Sequence, residues 1–186
     1  MSSGVIQALT FIIGTIARLY ILVLLVRLLL PWFPVNYRNP LTQALLSLTS
    51  PLVVPLRRIM PPIGKLDTAT LLVAFAVHYL ALWVIVALHE MNAGIAVLAL
   101  SSVLGLVSQA ITLFVFAILI RIILSWFASG AYNPAVAILD ALTEPVLRPF
   151  RRFIPPIGGF DISPIFPIIL LSALNIIVRD YAAIVL

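Results

Sequence analysis

The sequence predicts an all-α membrane protein. We expect four transmembrane helices in two parallel tandem repeats, each with a cytoplasmic interfacial amphipathic helix and a proline-rich turn. Composition, an internal repeat and four long apolar segments lead to this fold class. Of the 186 residues, 63% are hydrophobic and 9% are charged, whereas soluble domains carry roughly 25% charged residues. A water-soluble chain of this size needs more polar surface, so the chain is predicted to be integral to a membrane.

The internal repeat is a stretch that occurs twice. The segments NPLTQALLSLTSPLVVPLRRIMPPIGKLD and NPAVAILDALTEPVLRPFRRFIPPIGGFD align without a gap when 94 is added to each number of the first. Between 27 and 67, 18 of 41 positions are identical to their counterparts in 121–161. This self-similarity indicates a tandem duplication. We therefore assign a first repeat to 1–90 and a second to 91–186, and call two residues 94 apart repeat mates.

Four segments are apolar over the length that crosses a bilayer, which is about 20 residues. An aromatic pair such as Trp32-Phe33 follows the first and third segments, at the depth where amphipathic rings collect in a membrane. Asp67 stands where its carboxylate can cap the second segment. The predicted spans are 5–30, 69–88, 95–124 and 165–185.

A short amphipathic helix is predicted between the two spans of each repeat, at 40–50 and 134–144. Asn39 followed by proline is a typical helix start. Pro51 and Pro55 are predicted to break or kink the chain that follows. These helices are too short to span, so we expect them to lie in the interface or to pack on the spans. Rigid turns follow at Pro61, Pro62 and Gly64, and at Pro155, Pro156 and Gly158.

The distribution of charge predicts the orientation. Two spans per repeat return the chain to its starting side, so both loops, 31–68 and 125–164, lie on one side. These loops contain seven Lys or Arg residues, and the turn between spans two and three contains none. The positive-inside rule then places both loops in the cytoplasm. Basic loops beside membrane spans favour contact with a lipid surface over direct contact with nucleic acid.

Each loop carries the motif R-R-x-x-P-P-I-G-x-x-D, at 57–67 and at 151–161. With both repeats included, the chain resembles the YggT family of small bacterial membrane proteins and their YlmG-like relatives in plastids and cyanobacteria. The resemblance covers nearly the whole chain and implies a multi-pass protein of the bacterial inner membrane. It implies no established enzymatic activity. It does imply links to osmotic stress, potassium balance and cell division. It supplies no substrate, cofactor or catalytic residue.

The paired arginines and the motif aspartates are the candidate binding residues. The arginines could bind a protein partner or anionic lipid headgroups, where each contributes about 1 kcal/mol, or they could only set topology and snorkel. The aspartates could cap the next helix, pair with arginine, or coordinate a cation where the two loops meet. One carboxylate per loop is too few for a divalent cage. These residues are Arg57, Arg58, Asp67, Arg151, Arg152 and Asp161.

Two polar residues fall inside predicted spans. Arg18 lies near the middle of the first span, where a charge costs at least a few kcal/mol. It must therefore face the protein interior, a wet cavity or an oligomer contact, or reach the outer interface. His78 lies near the centre of the second span and is expected to hydrogen-bond between helices or to relay protons. Glu90, Asp180 and Asn175 are candidate partners for Arg18.

The chain has no cysteine, no phosphate-binding glycine loop and no Ser-His-Asp set. We therefore expect no enzymatic activity, cofactor or metal. One hypothesis is a scaffold or assembly factor whose basic loops dock a membrane or cytoplasmic protein or anionic lipid. The alternative is a component or modulator of potassium or proton transport that uses Arg18 and His78. Four spans are few for a transporter, so this alternative requires a homo-oligomer.

Overall fold

The computed structural model describes residues 3–33, 36–127, 133–153 and 161–185, and this part of the chain is helical. The first, third, fourth and sixth helices are long and apolar enough to cross a membrane. A 3₁₀ turn at Leu30–Trp32 ends the first helix. The helices are α1 (Ser3–Leu29), α2 (Pro40–Arg57), α3 (Thr68–Leu88), α4 (Ile95–Phe127), α5 (Pro134–Phe153) and α6 (Ile165–Val185).

The amphipathic helices are longer than the sequence predicts. Asn39 caps α2 by accepting a 2.9 Å hydrogen bond from the Leu41 amide. The helix then continues through Pro51 and Pro55, so the break predicted there is wrong. Each proline removes one hydrogen bond to the carbonyl four residues earlier, but packing of α2 on α1 and α3 compensates, with Val53 fully buried. α5 passes through its own two prolines in the same way.

The two repeats share one hydrophobic core. α1 packs mainly on α3, α4 packs mainly on α6, and contact between α3 and α4 joins the repeats. α2 covers α1 and α3 near the loops, while α5 covers α4 and α6. The core cluster draws side chains from α1 through α5, including Ile21, Leu24, Val53, Val73, Leu106, Leu113 and Leu142.

The leucine stripe of α2 does not face the spans. Leu41, Leu48 and Leu52 are exposed, Leu48 to 63%, whereas Thr42 and Thr49 are fully buried. Burial of Thr49 is tolerated because its hydroxyl donates to the Leu45 carbonyl of its own helix, at 2.8 Å. These leucines therefore lie on the outer surface of the described structure. In α5 the packing differs, because the repeat mate of Leu48 is buried in the core.

Candidate functional site

Arg27, Thr49, Arg57 and Asp67 form a first arginine cluster, which joins α1 and α2 to the start of α3. Arg27 is 4% exposed and donates to the Thr49 hydroxyl at 2.6 Å. The buried carboxylate of Asp67 pairs with Arg57, and Arg27 Nε lies 4.0 Å from the same carboxylate. Two cations thus share one buried anion. The sequence analysis did not identify Thr49 as part of this site.

Asp67 also caps α3. Its carboxylate accepts a hydrogen bond from the Thr70 hydroxyl at 2.6 Å and a longer one from the Thr70 amide, at 3.4 Å. Burial alone would raise the pKa of this carboxyl, but hydrogen bonds from Arg57 and Thr70 outweigh burial and hold the pKa below its ordinary value. The carboxylate is therefore ionised at neutral pH. It caps α3 and also pairs with arginine, which are two of the roles that the sequence allowed.

The second arginine cluster consists of Arg121, Thr143, Glu144, Arg151 and Asp161. Arg121 contacts the Thr143 hydroxyl at 3.2 Å, which repeats the bond between Arg27 and Thr49. Glu144 then bridges the two arginines, 2.9 Å from Arg121 and 3.0 Å from Arg151, and Arg151 pairs with Asp161 at 2.8 Å. Arg121 also pairs with Asp140 at 2.6 Å, so each arginine of this cluster has a carboxylate besides the shared Glu144.

A proline explains why the two aspartates act differently. The repeat mate of Thr70 is Pro164, which has no amide proton to donate to a cap. Asp161 instead accepts from the amide and hydroxyl of Ser163, at 3.0 and 2.5 Å. Burial raises the pKa of Asp161, and hydrogen bonds from Ser163 and Arg151 lower it further than burial raises it.

The remaining loop cations point outward. Arg58 and Arg152 are exposed and form no ion pair within the part of the chain that the structure describes. Each precedes a highly exposed apolar residue, Ile59 at 79% and Phe153 at 81%. The paired arginines therefore divide into one that is tied to a motif aspartate and one that faces away. We call Arg58, Ile59, Arg152 and Phe153 the outward surface.

Contact between the repeats brings the two halves of the loop face together. Asn39, the cap of α2, donates through its amide to the carbonyl of Pro134, the first residue of α5, at 2.9 Å. The amphipathic helices of the two repeats are thus neighbours at one end of the spans. Asp67 and Asp161 each have their own arginine, and no group of three or more potential metal ligands occurs in the described ranges.

The first proline-rich turn is a short reversal. Ile63 and Leu66 exchange two backbone hydrogen bonds of 3.0 Å around Gly64, whose φ is 60°. The Thr68 hydroxyl donates to the Pro61 carbonyl at 2.9 Å and fixes the turn to the start of α3. Pro62 lies in the same non-helical connection. The corresponding residues of the second turn, Pro155, Pro156 and Gly158, lie outside the described residues.

Arg18 contacts none of its three expected partners. Its side chain donates to the Gly14 carbonyl at 3.0 Å, and Gln109 donates to the Arg18 carbonyl. Asn175 bonds to residues of α4 instead. The ring of His78 lies against Gly105 of α4, and its Nδ1 is buried without a hydrogen-bond partner among the described residues. Both side chains line a groove between α1 and α3 and a second groove that extends along α4.

Four apolar helices, a 94-residue repeat and two matched arginine clusters define a multi-pass membrane protein made by duplication of a unit with two spans. The chain belongs to the CCB3/YggT family, whose model matches it twice, over residues 6–88 and 100–182. The resemblance inferred from the loop motifs is confirmed, and the two matches fit the tandem repeat.

Relatives of the same length carry no functional description. The chain is 36% identical to an uncharacterized protein of Pseudomonas aeruginosa, covering 97% of this chain and 92% of the relative. It is 32% identical to the uncharacterized protein YggT of Escherichia coli K12, covering 94% and 90%. The uncharacterized protein ycf19 of Porphyra purpurea is 35% identical over 82 residues, 44% of this chain and 86% of that relative. No solved structure matches the chain.

Proposed function

We propose that this protein is a non-enzymatic membrane scaffold of the bacterial inner membrane, whose outward surface docks a protein partner on the cytoplasmic side. The observation that carries the proposal is that the two arginines of each pair have different contacts. Arg57 and Arg151 bind the motif aspartates, while Arg58 and Arg152 are exposed and form no ion pair with the described residues. If Arg58 and Arg152 only set the topology, a neighbouring arginine that fixes the loop to the motif aspartate would not be required.

The chemistry of this surface indicates the kind of partner. Each repeat presents an exposed arginine next to an exposed Ile59 or Phe153. An arginine beside a large apolar side chain is typical of residues that dominate protein interfaces. The surface therefore suits an acidic protein segment with an apolar anchor. Anionic lipid is the competing occupant, because basic loops beside a membrane also attract anionic headgroups.

Orientation and physiology are part of the same proposal. The positive-inside rule supports cytoplasmic loops, because Arg38, Arg58, Lys65, Arg148 and Arg152 are exposed at the loop face. Docking of a transport or division protein would connect the scaffold to the osmotic and division links that the family resemblance implies.

Cation transport through Arg18 and His78 is the alternative, and the geometry favours it less. Arg18 lines both grooves and has no carboxylate partner among the described residues. A guanidinium in this position raises the barrier for potassium and protons. Potassium or proton flux in liposomes that disappears with Arg18→Thr would favour the alternative over the scaffold.

Photocrosslinking in cells tests the docking surface. A photoreactive amino acid replaces Ile59 or Phe153, which leaves all four paired arginines in place. We expect a discrete protein adduct from both positions, identified by mass spectrometry and lost in an Arg58→Gln/Arg152→Gln variant. An Arg38→Gln/Lys65→Gln variant removes the same charge and should keep the adduct. Adducts to lipid alone, or equal adducts in both variants, would overturn protein docking.

A further inference from the structure

Polar contacts join the two spans of the second repeat. Ser108 of α4 donates to the side-chain oxygen of Asn175 in α6 at 2.7 Å. The Asn175 amide donates in turn to the Thr112 hydroxyl at 2.9 Å. These three side chains satisfy one another inside the membrane, where unpaired polar groups are costly.

The same three positions leave a groove in the first repeat. The mates of Ser108, Thr112 and Asn175 are Gly14, Arg18 and Ala81. Glycine and alanine have no polar side chain with which to join α1 to α3, and a groove of about 510 Å³ lies between the two helices. The duplication thus provides an internal comparison, because one repeat has a polar contact between its spans where the other has an arginine beside a groove.

The guanidinium of Arg18 points toward the end of the spans opposite the loops. Its Nε donates to the Gly14 carbonyl, so the side chain points toward the N-terminus of α1. One turn further, the Thr10 hydroxyl and His89 Nε2 lie 3.2 Å apart, where α3 ends. Four residues of helix rise about 6 Å. The guanidinium therefore lies about one helical turn from the end of α3.

The groove contains the positive charge of Arg18 but no carboxylate to balance it. Its lining includes Gln7, Thr10, His78 and His89 beside Arg18, and no aspartate or glutamate. The lining is otherwise apolar, with Phe11 exposed to 68%. A guanidinium at this depth is stabilised when an anion compensates it. Its planar set of donors matches a phosphate group, which accepts two parallel hydrogen bonds.

We propose that the groove between α1 and α3 binds a phosphate group at Arg18. The polar mouth at Thr10 and His89 admits the anion, and the apolar walls accommodate any attached hydrocarbon. Two sources carry this group, the phosphodiester of a phospholipid headgroup and free inorganic phosphate. The site lies at the end of the spans opposite the outward surface, so it goes beyond the proposed docking function and does not depend on it.

Arg18→Thr tests the site, because threonine is the residue that the second repeat carries at this position. Purified, delipidated protein is titrated with phosphatidylglycerol and followed by native mass spectrometry. Binding of radiolabelled inorganic phosphate is measured in parallel by equilibrium dialysis. Loss of a bidentate, charge-assisted contact should weaken binding about tenfold or more. The matched control is Arg38→Thr, which removes an exposed arginine at the loop face and should leave binding unchanged.

The two titrations distinguish the sources. Arg18-dependent binding of phosphatidylglycerol alone identifies a headgroup, and Arg18-dependent binding of inorganic phosphate alone identifies a free anion. Equal binding by wild type and Arg18→Thr in both titrations overturns the proposal. Should Arg18→Thr not fold, Arg18→Lys keeps the charge and loses the planar fork. Reduced affinity in Arg18→Lys supports the site, and unchanged affinity overturns it.

Discussion

Arg27 in α1 donates a 2.6 Å hydrogen bond to Thr49 in α2, and their repeat mates Arg121 and Thr143 make the same contact at 3.2 Å. Both arginines are thereby held against an amphipathic helix rather than extended to water. The contact explains how a helix that crosses the membrane fixes the position of a helix that does not. The loops are consequently attached to the spans at two levels, by this bond and by the ion pair to each motif aspartate.

Asp67→Asn should destabilise the protein much more than Asp161→Asn. Asp67 is 4% exposed and is shared by two arginines, and removal of one member of a buried ion pair costs about 3 kcal/mol. Asp161 and its arginine are more than a third exposed, so the second change should cost about 1 kcal/mol or less. Thermal unfolding of both variants in the same detergent measures the difference. Equal losses would show that the first cluster is not the more strongly coupled one.

Stability should fall at acidic pH, and Asp67 should account for part of the fall. Its pKa is lowered in the folded protein, so its stabilising contribution is complete above the ordinary carboxyl pKa of about 3.9. The contribution is lost as the pH falls from that value through the lower folded pKa. Thermal unfolding followed from pH 6 to pH 2 should show a smaller decrease for Asp67→Asn than for wild type. Parallel curves for the two proteins would contradict the role of Asp67.

Gly64→Ala should destabilise the first proline-rich turn. Gly64 has a φ of 60°, which costs residues with a Cβ about 1 kcal/mol, and no neighbouring atom lies close enough to add a clash. The predicted loss is therefore about 1 kcal/mol, and Gly64→Asn should lose less because asparagine tolerates this conformation. Gly94→Ala is the control, since Gly94 lies in open space without a positive φ. Unfolding in denaturant compares the three variants, and an equal effect of the two alanine changes would reject the backbone explanation.

Gly105→Ala should disturb the contact between α3 and α4 through His78. A Cβ at position 105 would collide with the His78 ring, which must then shift. Overpacking of this kind costs about 1–3 kcal/mol. His78→Ser introduces the residue that the second repeat carries and should remove the clash. A double-mutant cycle on thermal stability tests this, and additive effects would show that the two residues do not meet.

The four spans, the duplication and the family could be predicted from the sequence, because apolar length and a gapless 94-residue register can be recognised along the chain alone. The sequence also indicated a helix start at Asn39 and a cap at Asp67, since caps depend on neighbours a few residues away. It was wrong about the end of α2. Local rules penalise Pro51 and Pro55, but packing of α2 on α1 and α3 compensates that cost.

Which arginine of each pair binds the motif aspartate depends on three-dimensional packing, as do the contacts of Arg27 and Arg121 with threonine. Residues 57 and 58 are both arginine, so the sequence does not show which one pairs with Asp67. The packing of α2 against α3 determines it. The groove at Arg18 likewise depends on how the helices pack. Its partners were expected among Glu90, Asp180 and Asn175, yet packing turned Asn175 toward α4 and left Arg18 facing a groove.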